Sequence, residues 1–214
     1  MDRLLIFDFD GVLADSLAPM LSYAAQVCSE LGYPCHPTKQ DLEVLEKMEF
    51  AEYGRQLGIP EHLIAEFVAR NFKLFANRIE PLNITPEIKS VIEQLSQANT
   101  LTIITGNSCS VVEKFLENHG IKDKFRKVLA AEDEGNRVEK IHKMVLFQGG
   151  SISEGFLIGD AVSDIRSARN AGVKSIAVSW GHQSKVKLLT ETPDFLIDRP
   201  EELLTLFSDE LPGK

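Results

Sequence analysis

Residues 4–15 read LLIFDFDGVLAD, an apolar run that gives way to Asp8, Asp10 and Asp15 within a few positions. The hydrophobicity from 4 to 9 is nearly continuous, as in a strand covered on both faces. Burying an ionised carboxylate without a partner is costly or forces it to take a proton. A buried strand that ends on two acids therefore calls for a bound cation, a shared proton or a solvated turn.

Further apolar runs occur at 101–105, 128–131, 156–159, 175–178 and 195–197. Amphipathic segments separate them. Pro86 suits an early helical position, with Ile88, Val91, Ile92 and Leu95 as the inward stripe. Val111, Val112, Phe115 and Leu116 form a second stripe, closed by Gly120 as a helix C-cap. Val138, Ile141, Val145 and Leu146 form a third. Strand and helix alternate, which predicts an α/β fold built on a parallel sheet flanked by helices. Residues 16–82 break the rhythm: they carry helical patterns with their own apolar faces, punctuated by Gly32-Tyr33-Pro34 and Gly58-Ile59-Pro60. This predicts a helical insertion between the first two strands of the sheet. Within it, Phe67, Phe72 and Phe75 read as core.

The 214 residues are 43% hydrophobic with a formal net charge of −9, and the pI is near 5.1. That length supports a sizeable core without a disulfide or metal staple. The acidic balance, with no basic run, argues against nucleic acid or an anionic membrane as partner. No stretch approaches the ~20 apolar residues of a membrane span, and the N-terminus has no secretory pattern. Cys28, Cys35 and Cys109 form no CxxC and cannot all pair, which points to a reducing compartment and a cytoplasmic protein. The sequon Asn83-Ile84-Thr85 then carries no meaning.

In open α/β sheets, ligands bind beyond the carboxyl ends of the strands. Three polar clusters fall there: Asp8 with Asp10, Thr105-Gly106-Asn107, and Gly159-Asp160 with Asp164. Read as stretches, DFDGVL, ITGN and GDAVSD resemble the motifs of the haloacid dehalogenase-like superfamily. AGVKSIAVSWG and PDFLIDRPEELL resemble its phosphoglycolate-phosphatase-like branch. The resemblance implies a Rossmann-like core (1–15 and 83–214) with an inserted helical cap (16–82). It also implies a Mg2+-dependent phosphatase acting on a small phosphorylated metabolite. On that pattern Asp8 is the nucleophile and Asp10 the general acid–base. The Asp8 carboxylate, the Asp10 backbone carbonyl and Asp160 hold Mg2+, and Asp164 stands behind them as an orienting group. Thr105 donates to the phosphoryl group, joined by the amides of Phe9, Gly106 and Asn107.

The family's usual Lys-Pro signature ahead of the last acidic motif is absent. GNRVEKIHK offers Arg137, Lys140 and Lys143 in its place. Arg137 lies near the inward stripe in the first helical turn; Lys140, about 60° further round, is the close alternative. Two other readings stay open: a sugar phosphomutase of the same superfamily, and a non-enzymatic phosphoaccepting or metal-binding signalling module. A dehalogenase would leave Asp10 without a task. Cys109 near a helix start is a candidate for a lowered pKa, with an inert packed thiol as the alternative. His182 is a candidate to line the cleft, with an ordinary loop residue as the alternative, and Asp15 caps or flanks the first cap helix. Glu43, Lys47, Arg55, Arg70 and Arg78 are candidate readers of the substrate.

Overall fold

The computed structural model describes residues 3–77, 82–149 and 154–208. In chain order its strands are β1 (Arg3–Phe7), β2 (Ala14–Asp15), β3 (Asn83–Ile84), β4 (Asn99–Ile104), β5 (Phe125–Leu129), β6 (Gly155–Gly159), β7 (Lys174–Val178) and β8 (Phe195–Ile197). The helices are α1 (Leu17–Glu30), α2 (Lys39–Glu43), α3 (Phe50–Gln56), α4 (Glu61–Asn77), α5 (Ile88–Leu95), α6 (Cys109–His119), α7 (Arg137–Gln148), α8 (Val162–Ala171), α9 (Lys185–Leu189) and α10 (Glu202–Phe207). Arg78, one of the candidate readers, lies outside the described residues.

Six strands form one sheet in the order β5-β4-β1-β6-β7-β8, and every neighbouring pair is parallel. The alternation of β1 explains its central place. Leu5 and Phe7 face one layer of helices with Ile88, Val91, Ile92 and Phe115. Leu4 and Ile6 face the other, with Ile141, Met144 and Ala168. The chain runs from β1 to β4 and β5 on one side, then to β6, β7 and β8 on the other. The strand order thus reverses beside β1, and the carboxyl ends there open a crevice suited to a ligand.

Helices α1 to α4 pack around a cluster of their own, including Val27, Leu42, Tyr53, Ile64 and Phe67. Where the chain enters and leaves this segment, β2 and β3 pair antiparallel, Ala14 opposite Ile84 and Asp15 opposite Asn83. Strands of two residues give no periodic signal, so the sequence did not announce this stem. No helix of the described residues is long and apolar enough to cross a membrane.

Three local expectations are corrected. Pro86 sits in the turn ahead of α5 rather than inside the helix. Leu146 is 79% exposed, because Met144 and Val145 take the inward phase of α7. Cys28 is disulfide-bonded to Cys35. Gly32 adopts φ +81° and Tyr33 N–H closes on the Cys28 carbonyl at 2.9 Å, so the chain folds back and brings the two cysteines together. This pair removes the cysteine pattern as support for a reducing compartment.

Candidate active site

The end of β1 is pinned before the site begins: Asp8 N–H donates to the Ile158 carbonyl at 2.8 Å. Strand alternation then buries Phe9 and leaves Asp8 and Asp10 facing the crevice. Asp160 follows β6 and is 1% exposed. Its carboxylate lies between Gly11 and Gly181, and a Cβ at either glycine would collide with it. Gly11 also needs the left-handed backbone, φ +73°. Asp164 is the third residue of α8, and its Oδ2 accepts the Ala161 N–H at 3.1 Å, fastening the helix start. Arg137 opens α7, whose first residue is set by a reciprocal cap: Asn136 Oδ1 accepts Glu139 N–H at 3.1 Å and Glu139 Oε2 accepts Asn136 N–H at 2.8 Å.

The ends of β1 and β6 and the start of α8 bring one carboxylate oxygen each from Asp8, Asp160 and Asp164 within 4.8 Å of one another. Arg137 Nη2 lies 2.7 Å from Asp164 Oδ1 and 3.2 Å from Asp8 Oδ1. Its buried Nε has no hydrogen-bond acceptor among the described residues. Burial works against the Arg137 charge, but Asp164 and Asp8 outweigh it and hold the guanidinium firmly cationic. The acids are poorly compensated by comparison. Burial, with the Asp160 charge, raises Asp8 despite Arg137. Burial, with Asp8 and Asp160, pushes Asp164 up to about 7.

Asp10 is raised to about 6, first by burial and then by Asp8. Asn107 Nδ2 donates to its Oδ2, while Oδ1 has no partner among the described residues. The Asn107 amide is committed elsewhere: it donates to Thr105 Oγ1 at 3.0 Å. That bond uses the hydroxyl as acceptor and leaves its own O–H free to donate. The Phe9 amide is likewise directed at the Asp8 carboxylate. Neither amide is therefore a spare donor of the kind the sequence suggested.

Of the three basic residues, only Arg137 reaches the crevice. Lys140 is buried and its Nζ donates to the Ala130 carbonyl at 2.6 Å. Lys143 Nζ donates to the Glu134 carbonyl at 2.6 Å. Cys109 does open α6, but Glu132 already accepts its amide at 3.1 Å. Burial together with Glu113, Glu132 and Asp133 raises its thiol, opposite to an activated cysteine.

The loop after β7 does more than line the cleft with His182. His182, 2% exposed, donates its backbone N–H to Asp160 Oδ2 at 2.7 Å and places Nδ1 2.9 Å from the same oxygen. Burial opposes the imidazolium, but Asp160, Asp10 and Asp8 together raise His182 above its ordinary value. The next residue, Gln183, is fully buried and joins two elements. Its Oε1 accepts Val162 N–H at 2.8 Å. Its Nε2 donates to the carbonyls of Leu45 at 2.9 Å and Leu42 at 3.2 Å, at the end of α2. Ser184 N–H donates to Glu43 Oε2 at 2.8 Å, and Lys39 Nζ to the Gly181 carbonyl at 2.8 Å. One loop thus holds Asp160 from one side and the helical insertion from the other. Its only sequence signal was its place, beyond the carboxyl end of a strand.

Between the acids and the insertion lies a cavity of ≈ 330 Å³. Asp8, Asp10, Arg137, Asp160, Asp164 and His182 line one end, and α2, α3 and α4 with the segments around them form the other.

A sequence model described as haloacid dehalogenase-like hydrolase matches residues 5–178. The chain belongs to this family. Among relatives of this haloacid dehalogenase-like hydrolase, the phosphoglycolate phosphatase of Vibrio parahaemolyticus is 30% identical over 216 residues, covering 94% of each chain. That of Synechococcus elongatus is 27% identical over 201 residues, again covering 94% of each. Among solved structures, a haloacid dehalogenase-like family hydrolase from Streptococcus pneumoniae aligns with a TM-score of 0.85 at 24% identity, over 96% of this chain and 98% of the other. That likeness is one of fold. This hydrolase thus has the Rossmann-like sheet expected of its family.

Proposed function

We propose that the chain is a divalent-metal-dependent phosphatase that hydrolyses small phosphate monoesters through an aspartyl phosphate on Asp8. The observation that carries this reading is the close approach of Asp8, Asp160 and Asp164 beside the Arg137 guanidinium, which reaches both Asp8 and Asp164. The donor set fits a hard cation: it is all oxygen, with no His or Cys ligand required. The raised Asp8 and Asp164 mark carboxylates that lack positive charge in the protein alone. Asp8, Asp160 and the Asp10 backbone carbonyl would hold Mg2+, with Asp164 in support. When bound, it keeps the carboxylates ionised and neutralises charge on the phosphoryl oxygens.

Asp8 attacks phosphorus and the bond to the ester oxygen breaks. Asp10, held by Asn107, gives its proton to the departing alkoxide, so that the alcohol leaves neutral. Asp10 then takes a proton from water as the water attacks the aspartyl phosphate, releasing inorganic phosphate and restoring Asp8. A carboxyl poised near 6 suits both halves of this exchange. Arg137 and the Thr105 hydroxyl donate to the phosphoryl oxygens. Residues 1–15 and 83–214 form the catalytic core, and 16–82 form a cap that covers the reacting groups and excludes water.

The test is phosphate release from a panel of monoesters by the native protein and Asp8→Asn, each with Mg2+ and with a chelator. Release only by native protein with Mg2+ is expected. Equal release by folded Asp8→Asn would place the nucleophile elsewhere.

A further inference from the structure

The cap end of the cavity is chemically unlike the reacting end. Met20, Leu42, Leu45, Met48, Phe72 and Phe75 form most of its walls; among the described residues Glu49 is its one carboxylate, and Tyr53 adds a buried hydroxyl with no hydrogen-bond partner there. Among the described residues, Arg137 is the sole lysine or arginine lining the cavity, and it belongs to the reacting end. The cap's cations among the described residues are placed elsewhere. Arg55 pairs with Glu61 at 2.7 Å, Arg70 with Glu30 at 3.0 Å, and Lys39 is bound to Gly181. Lys47 is exposed, and Lys73 lines a neighbouring hollow beside α6. Phe75, expected as core, is buried at 2% exposed and also touches the cavity; Phe72, expected likewise, is 36% exposed, and its ring meets Phe50 edge-on at 5.2 Å.

An apolar wall with one carboxylate penalises an anionic organic group twice, by desolvation and by like-charge repulsion. The whole cavity, reacting end included, measures ≈ 330 Å³, within the range of small-molecule sites. We infer that the preferred substrate is a phosphate monoester of an uncharged, apolar alcohol or phenol, rather than of a carboxylic acid such as glycolate. This rests on the phosphatase reading and adds the substrate's organic half to it. The preference then differs from the activity for which the curated relatives are named.

The experiment measures kcat/KM of the native protein with Mg2+ for ethyl, propyl, butyl, hexyl and phenyl phosphate and for phosphoglycolate. Each added methylene should raise kcat/KM about fourfold, the worth of one buried methylene, so butyl should exceed ethyl phosphate about 15-fold. Phosphoglycolate should fall at least about tenfold below the similarly sized propyl phosphate. Met48→Lys, which sets a cation in the wall, should narrow that last gap and slow butyl phosphate. A flat alkyl series, or phosphoglycolate as the fastest ester, would overturn the inference and leave the phosphatase reading standing. No turnover of any ester by folded protein would overturn both.

Discussion

Asp164→Asn separates what the acidic cluster does for stability from what it does for metal binding. In the folded chain the Asp164 carboxyl titrates near about 7 against 3.8 for the ordinary group, because burial and the charges of Asp8 and Asp160 exceed the help from Arg137. The folded state therefore holds this proton more tightly than the unfolded chain. Its stabilising contribution is full below pH ~4 and is lost as pH rises through ~7. At about 1.4 kcal/mol per tenfold change in proton affinity, that loss reaches about 4 kcal/mol above pH 7. Asparagine keeps the shape and an oxygen for the Ala161 N–H but never ionises. In chelator at pH 8 the variant should be more stable than the native protein by up to about 4 kcal/mol, or roughly 8–16 °C in Tm; at pH 4 the difference should nearly vanish. Mg2+ should act the other way. At about 100 times its Kd it adds about 2.7 kcal/mol to whichever chain binds it, and the native chain binds it better. Thermal unfolding over pH 4–8, with chelator and with Mg2+, gives all four comparisons. A variant less stable than native in chelator at pH 8 would refute the reasoning, since the carboxylate would then be a satisfied partner of Arg137.

Asp10→Asn should lower kcat about 10²–10⁴-fold; native kcat should decline as pH rises through about 6, where Asp10 loses its proton, and a pH–rate profile should show that limb missing in the variant. His182→Ala removes the imidazole from Asp160 and should weaken Mg2+ about 10–100-fold, read by metal titration at constant pH. Gln183→Ala strips the bridge between α2 and α8, and its expected signature is faster amide hydrogen exchange at Leu42–Leu45 with the sheet unchanged.

The sheet was legible because its strands are buried on both faces. Their apolar runs matched β1, β4, β5, β6, β7 and β8 to within a few residues, and 195–197 coincided with β8. Acids after β1 and β6 were legible because charge at the end of a buried run is costly without a purpose. Arg137 could be favoured over Lys140 because helical phase separates positions three apart, and the Asn136/Glu139 cap fixes where α7 begins. What stayed hidden depends on contacts between distant segments. His182 and Gln183 carry no periodic signal, and their roles come from Asp160 and from the end of α2. The Cys28–Cys35 pair depends on a left-handed glycine between them. The exposure of Phe72 turns on which side of α4 faces the cavity rather than on helical spacing alone.

The central claim is that Asp8 carries the phosphoryl group between two half-reactions. Native protein with Mg2+ and a turned-over monoester, quenched in acid within the first turnover, can be digested and mapped by mass spectrometry. The account predicts a hydroxylamine-labile phosphoryl group on Asp8, absent from Asp8→Asn and from chelated protein. A phosphoryl group on another residue, or turnover with no labelled protein at any quench time, would contradict it.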